Sequence, residues 1–398
     1  MAINERLDEL GDNPFTRLNA LLKDVVPRGN ERPLILSVGE PQHAPPGWVA
    51  EIVAARAGDW NRYPPIQGSE EFRGAACNWL ARRYGLAPGF VDPDRHLLAL
   101  CGTKEGLYLA AELAVPAVKS GRRPAVLLPN PLYLTYRGAG VMAGAEIVPL
   151  PAGRATGFLP DLGAVDGDLL DRTALVFLCS PANPQGAIAG LDYLKHAIRL
   201  ARRHDFVLIV DECYSEIYDR DPPPGALEAA QALGGGLDNL LVFHSLSKRS
   251  NGAGLRAGFV AGDERLIRRF FTLRSYGGSQ MPLPIQAAAA ALWRDEGHVV
   301  ENRALYRAKI DIAERVLGTR FGFYRPAGGF FLWLDVGADD EAAALALWRE
   351  CGVKAVPGSY LGTADAEGQN PGAGYLRLAL VHDDETVADA LERVVRIL

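Results

Sequence analysis

The sequence of 398 residues predicts an α/β protein: a mostly parallel sheet between helices, followed by a smaller α+β domain. Three observations lead there. From about residue 95 to 262, short apolar runs alternate with helical patterns. The runs are almost continuously apolar, as strands buried on both faces must be. After Gln280 a long charged helix leads into short strands mixed with helices. The expected organisation is an N-terminal arm over residues 1–32, a large domain over 33–284, and a linking helix with a small domain over 285–398.

In the arm, Asn13 before Pro14 is a helix start signal, and the helix runs through Leu22. Leu34–Val38 reads as a short strand ending in a Gly- and Pro-rich turn at 39–46. A helix follows near 48–57. Another starts at Ser69, with Phe72, Ala76, Trp79 and Leu80 at helical spacing. Leu97–Leu100 reads as a strand, and 102–105 opens a helix through Leu113. Strands are expected at 125–128, 145–150, 174–178 and 206–210, with a helix through 194–203. The apolar run from Leu241 is another strand, ending in Ser245-Leu-Ser-Lys248. Beyond it, a helix with breaks covers 285–316. Strands are expected at 330–334, 353–356 and 375–380, helices at 342–351 and 384–397.

Composition narrows the function. The net charge of −6 argues against a nucleic-acid or anionic-membrane partner. The first ten residues are charged and lack an apolar core, so no signal peptide is expected. No run approaches the ~18 apolar residues of a membrane span. Five scattered cysteines without a C-x-x-C pair suit reduced thiols and a cytoplasmic setting. The seven histidines show no metal-ligand spacing, and no metal is expected.

In open α/β sheets ligands sit beyond the carboxyl ends of the strands. Thr103, Tyr133, Asn183, Asp211, Ser245 and Lys248 all fall there. A lysine between hydroxyls, with Arg256 eight residues on, suits a Schiff base to an aldehyde cofactor whose phosphate the hydroxyls and guanidinium hold. Asp211, ending a buried strand, is placed to keep a pyridine nitrogen protonated. Asn183 and Tyr214 offer donors to the ring oxygen. Gly102-Thr103-Lys104 offers amides at a helix start to the phosphate, and Tyr133 offers a stacking face. Competing motifs fail. The strand ending in Asp211-Glu212 resembles the magnesium-binding strand of a nucleotide hydrolase, but no G-x-x-x-x-G-K-[ST] loop accompanies it. The glycines at 252, 254 and 258 miss the dinucleotide-binding spacing, and no G-x-S-x-G elbow is present.

Taken together, Gly39-Glu-Pro, Tyr63 with Gly68, Gly102-Thr-Lys-Glu, Asn130-Pro-Leu-Tyr133, Asn183-Pro-Gln-Gly, Asp211-Glu-Cys-Tyr214, Ser245-Leu-Ser-Lys248 with Arg256, and Arg377 resemble the class I/II aminotransferases of the aspartate-aminotransferase, fold type I superfamily. The resemblance covers roughly residues 30–395. It implies pyridoxal 5′-phosphate as cofactor, a seven-stranded-type sheet, and amino-acid and 2-oxo-acid substrates. It further implies a homodimer with shared active sites, and an arm packing on the small domain or the partner. By it Lys248 is the Schiff-base lysine and Asp211 pairs with the ring nitrogen. Asn183 and Tyr214 face the ring oxygen. Gly102, Thr103, Lys104, Ser245 and Arg256 surround the phosphate, and Tyr63 reaches the neighbouring subunit's phosphate. Gly39, Asn183 and Arg377 bind substrate, Gly39 and Arg377 receiving its α-carboxylate. Position 133 is Tyr where several members carry Trp or Phe.

Within the family, Leu36-Ser-Val-Gly-Glu-Pro-Gln-His43, Lys248-Arg-Ser-Asn251, the segment from Trp293 to Arg303, Pro357-Gly-Ser-Tyr-Leu-Gly362 and Asn370-Pro-Gly-Ala-Gly374 are most similar to proteobacterial succinyldiaminopimelate transaminases. That implies exchange between glutamate/2-oxoglutarate and N-succinyl-diaminopimelate in lysine biosynthesis. Spacing alone does not select this substrate. Aminotransfer to N-acetylornithine, aromatic, alanine or LL-diaminopimelate partners stays open, as does a fold-related lyase. A regulatory protein of this fold would need a DNA-binding domain, for which the arm is too short.

Overall fold

The computed structural model describes residues 3–28, 32–337 and 339–398. Its strands are β1 (Leu34–Ile35), β2 (Leu97–Leu100), β3 (Ala125–Asn130), β4 (Glu146–Pro151), β5 (Thr173–Cys179), β6 (Val207–Asp211), β7 (Leu240–Ser245), β8 (Gly258–Gly262), β9 (Phe331–Asp335), β10 (Val353–Lys354), β11 (Val356–Pro357) and β12 (Tyr375–Ala379). Seven form one sheet in the order β2-β8-β7-β6-β5-β3-β4. All run parallel except β8, which is antiparallel to both neighbours. Every residue of β2, β5, β6, β7 and β8 is buried, and an apolar cluster covers each face. The continuous apolar runs therefore do mark a sheet between helices.

Local signals set the helix starts. Asn13 caps Pro14–Leu22 by accepting from the Phe15 amide at 2.9 Å, and Ser69 caps Glu70–Tyr84 by accepting from Phe72 at 3.2 Å. The helix Thr103–Ala114 has no side-chain cap, which leaves its first amides open toward the sheet's edge.

The remaining strands form two small sheets: β1 with β10, and β11-β12-β9. Both departures from the expected domain division follow from packing. β1 pairs with β10 rather than with the large sheet, because the buried Leu34 joins the apolar cluster of the C-terminal region. The expected helix over 285–316 is two helices, Leu283–Arg294 and Gly297–Leu317. The first packs its Ala-rich face on Glu70–Tyr84 beside the large sheet; the second packs on the C-terminal helix Asp384–Ile397. Likewise the single strand expected at 353–356 is split between two sheets. The arm touches both regions: the helix Pro14–Leu22 packs on β11 and on Asp340–Cys351, and the short turn Glu5–Leu10 packs on the helix Leu134–Met142. Among the described residues, no helix is long and apolar enough to cross a membrane.

Candidate active site

Strand direction gathers the chemistry. β3, β5, β6 and β7 all end at one edge, delivering Asn130, Cys179, Asp211 and Ser245 there. In β8, Gly258 lies between Leu100 of β2 and Ser245 of β7. That register brings Gly102-Thr103, Arg256 and Ser245 to one corner. A Cβ on Gly258 would lie 2.7 Å from the His244 carbonyl oxygen, so glycine permits the close approach. At the same edge opens a cavity of about 640 Å³, within the usual size for small-ligand sites. Gly39, Thr103, Lys104, Tyr133, Asn183, Asp211, Tyr214, Ser245, Lys248, Arg256 and Arg377 line it. Gly102 and Tyr63 do not. Gly102 sits behind the corner with φ +76°, where a Cβ would fall 2.1 Å from Arg256 Nη2. Tyr63 is fully exposed.

Lys248 lies on the four-residue helix Leu246–Arg249 directly after β7, and its amine donates to the Gly39 carbonyl. Gly39 has room for no side chain: a Cβ there would meet Phe331 at 2.6 Å. Burial pushes the Lys248 amine down to about 8, against weaker attraction from Cys213 and Glu40. A larger neutral fraction near pH 8 makes it a better nucleophile.

Asp211 is buried at the end of β6. Its Oδ2 accepts from the Tyr136 hydroxyl at 2.7 Å and its Oδ1 from the Cys213 amide at 3.2 Å. Desolvation raises its pKa, and those hydrogen bonds oppose the rise. Strand alternation turns the adjacent Glu212 the other way, where it accepts from the Tyr84 hydroxyl and the Ala226 amide. Of the two acids, only Asp211 faces the cavity.

Arg377, in β12, is 5 % exposed. Its Nη2 donates to the Ser37 carbonyl at 2.7 Å and its Nη1 to Asn183 Oδ1 at 3.2 Å. Its Nε is buried without a partner. Desolvation pushes the guanidinium down to about 10. This is a cation held dry, with unused donors beside a cavity, a geometry suited to a carboxylate.

The phosphate corner combines the uncapped helix start at Thr103, the Ser245 and Ser247 hydroxyls 3.0 Å apart, and the exposed Arg256. Thr103 is buried and its hydroxyl lies 3.2 Å from Cys213 Sγ. Tyr133 meets Tyr136 edge-on at 5.5 Å, and Tyr214 meets Phe330 and Phe331 edge-on. Open helix amides, hydroxyls and an arginine fit a phosphate. A buried carboxylate fits a protonated ring nitrogen, and a partly neutral lysine fits an aldehyde. The residues present therefore suit pyridoxal phosphate. Among the described residues no cluster suits a metal ion.

Tyr136, Cys213 and the Ser37 carbonyl are new to this site. At the mouth the arm contributes Asp12, Phe15 and Arg17, with Arg17 over the Tyr360 ring at 3.8 Å. No local sequence signal marks Tyr136, the Ser37 carbonyl or Arg17, because each acts through a partner distant in the chain; Cys213 lies within the Asp211–Tyr214 motif and bonds Asp211 two residues away.

Known proteins resemble this chain in sequence and fold. The chain is 32% identical over 99% of its length to the LL-diaminopimelate aminotransferase of Syntrophobacter fumaroxidans, covering 98% of that protein. Among solved structures it resembles an aminotransferase from Neisseria meningitidis with TM-score 0.93 and 38% identity, over 99% of both chains. It also resembles a probable N-succinyldiaminopimelate aminotransferase from Thermus thermophilus with TM-score 0.84 and 27% identity, over 97% of this chain and all of that one. The family model described as aminotransferase class I and II matches residues 31–394. With its fold and nearly its whole length in accord, the chain belongs to the class I and II aminotransferases, enzymes that use pyridoxal phosphate.

Proposed function

We propose that this aminotransferase exchanges an amino group between glutamate/2-oxoglutarate and N-succinyl-LL-2,6-diaminopimelate, as a homodimer with shared sites. The observation that carries transamination is the meeting of Lys248, Asp211 and Arg377, all withdrawn from water, in one cavity. The cofactor, when bound, supplies an electron sink that acidifies the substrate's α-carbon. Asp211 holds a proton at its ring nitrogen. Asn183 and Tyr214 would offer their polar groups to the ring oxygen, and Tyr133 would offer its face to the ring. The amides at Thr103 and Lys104, with Ser245 and Arg256, would hold the phosphate, and Gly102 behind them leaves Arg256 its room. Arg377 and Gly39 receive the α-carboxylate. Lys248 moves a proton between the substrate's α-carbon and the cofactor's C4′ carbon.

Charge at the mouth supports an acidic distal end. Arg17, Lys104 and Arg137 are among the cavity's lining residues, with Asp12 beside them and Arg17 paired to Glu341 at 3.4 Å. Succinylation replaces a distal ammonium by an amide and adds a carboxylate, which suits that balance. The name of the Syntrophobacter relative favours the second reading, unmodified LL-diaminopimelate. Tyr63, fully exposed and off the cavity, suits a role at a neighbouring subunit; Trp60 and Tyr276 are exposed as well.

A half-reaction screen tests the choice. The cofactor-loaded enzyme is mixed with N-succinyl-LL-diaminopimelate, LL-diaminopimelate, glutamate, alanine, N-acetylornithine and aromatic amino acids, and loss of visible absorbance is timed. Fastest bleaching by the succinyl compound and glutamate is expected. Faster bleaching by LL-diaminopimelate replaces the first reading with the second.

A further inference from the structure

Two segments that stand out in the sequence, residues 248–251 and 293–303, are bolted to each other. Asn302, 5 % exposed, donates through Nδ2 to the main-chain carbonyls of Lys248 at 3.0 Å and Arg249 at 3.2 Å. Its Oδ1 accepts from Asn251 Nδ2 at 2.9 Å. Ser250 Oγ meets His298 Nε2 at 2.8 Å. Arg249 donates to the Leu292 carbonyl at 2.7 Å and to Glu296 Oε1 at 2.9 Å, its guanidinium lying 5.0 Å from the centre of the Trp293 ring. Thus the residue that bears the reactive amine and the three after it are all seated on the break between Leu283–Arg294 and Gly297–Leu317.

A helix of four residues has too few internal bonds to hold its own last carbonyls. Asn251, at φ +50°, turns the chain away just beyond. The amide of Asn302 closes this end from outside. Only a side chain with donors and an acceptor can serve two carbonyls and Asn251 at once.

We propose that Asn302 is a positioning residue for Lys248: by holding the carbonyls at the end of the lysine's short helix, it fixes where the amine stands in the cavity. The amine's other contact, the Gly39 carbonyl, belongs to a different segment. Lys248 therefore spans two bodies of structure, and Asn302 anchors its main-chain end. The lysine's helix is thereby seated on the first turns of Gly297–Leu317, which packs on the C-terminal helix.

The test uses Asn302→Ala and Asn302→Asp in the full chain, with Asn251→Ala as a milder variant. In the cofactor-loaded enzyme with L-glutamate and a saturating 2-oxo acid as amino acceptor, kcat falls about ten- to a hundredfold in the Asn302 variants while KM for glutamate stays within about twofold, since misplacing a reacting group by an ångström has that scale. Without cofactor, acetic anhydride labelling of Lys248, read by peptide mass spectrometry across pH, shifts its midpoint from wild type. This second readout involves neither cofactor nor substrate. A lower melting temperature with unchanged kcat and an unchanged labelling midpoint makes Asn302 a structural joint only and overturns the proposal. If the Asn302 variants do not fold, Asn251→Ala decides: a fall of about two- to fivefold in kcat supports it, and wild-type kcat with a wild-type midpoint overturns it.

Discussion

Replacing Arg377 probes the site where its electrostatics are most exacting. The guanidinium carries five N–H donors; one bonds the Ser37 carbonyl and one the Asn183 side chain. Three remain, among them the buried, unpartnered Nε. Burial pushes the group down to about 10, and each unit is worth about 1.4 kcal/mol, so the ligand-free site keeps this cation at a cost of roughly 3 kcal/mol. A carboxylate accepting two charge-assisted hydrogen bonds, each worth roughly 1.5–3 kcal/mol, offsets it. Arg377→Met should therefore raise KM for every amino donor by about 10²- to 10⁴-fold. Arg377→Lys keeps the charge, loses the fork, and should raise it about 10- to 100-fold. The assay is the single-turnover half-reaction with donors that share only the α-carboxylate, such as alanine, glutamate and an aromatic amino acid. An increase confined to dicarboxylic donors would place Arg377 on the distal carboxylate instead. An unchanged KM across the series refutes the clamp altogether.

Lys248→Ala should abolish the visible absorbance of the loaded enzyme and its turnover together; turnover without that absorbance would remove the lysine from the chemistry. Gly102→Ala puts a Cβ at positive φ and into Arg256, so the dissociation constant for pyridoxal phosphate should rise about tenfold. Fluorescence titration checks this, and an unchanged constant argues against a phosphate at that corner. The lowered pKa of Lys248 has a definite sign in stability. Between about 8 and its ordinary 10.5 the unfolded chain binds a proton that the folded chain has released, so stability of the cofactor-free protein rises with pH through that window. Below about 8 both states carry the proton and the burial cost is fully present. Urea melts of wild type and Lys248→Met across pH 7–11 should differ by a gap that closes as pH rises; a constant gap contradicts the assignment.

The large sheet was legible because each strand is a short apolar run that stops at polar, chemistry-bearing residues. Asp211, Ser245 and Lys248 could be placed at one edge from that pattern alone. β8 was harder to see: Gly258 and Gly262 make it read as loop, yet a Cβ at Gly262 would lie 1.9 Å from the Leu240 carbonyl oxygen, so glycine is what lets the strand pair there. The split of 353–356 was hidden for a related reason. The run carries enough β-forming character for a strand, but nothing local says that Val353–Lys354 and Val356–Pro357, on either side of Ala355, serve different sheets. Tyr136 looks like any buried aromatic of a helix until the fold brings it to Asp211, 75 positions away. Asn302 is an internal residue of an amphipathic helix, and its meaning lies in two carbonyls more than fifty residues earlier.

What unites the site is the direction of three shifts. Burial raises the pKa of Asp211 and lowers those of Lys248 and Arg377, so each is displaced toward its uncharged form by the same cause. A surface cluster of one acid and two bases would do the opposite, each charge stabilising its neighbours. Here the three stand apart in chemistry, though they line one cavity. Asp211 is held by a hydroxyl and an amide, Arg377 by a carbonyl and a side-chain amide, Lys248 by a carbonyl. Not one of the three is neutralised by another in a hydrogen-bonded ion pair. Such an arrangement costs the ligand-free fold stability and is relieved only by partners from outside: a protonated ring nitrogen against the acid, a carbonyl carbon for the amine, a carboxylate on the guanidinium. One cofactor and one amino acid supply all three, and for that reason the energetics point to transamination more firmly than any of the residues does alone.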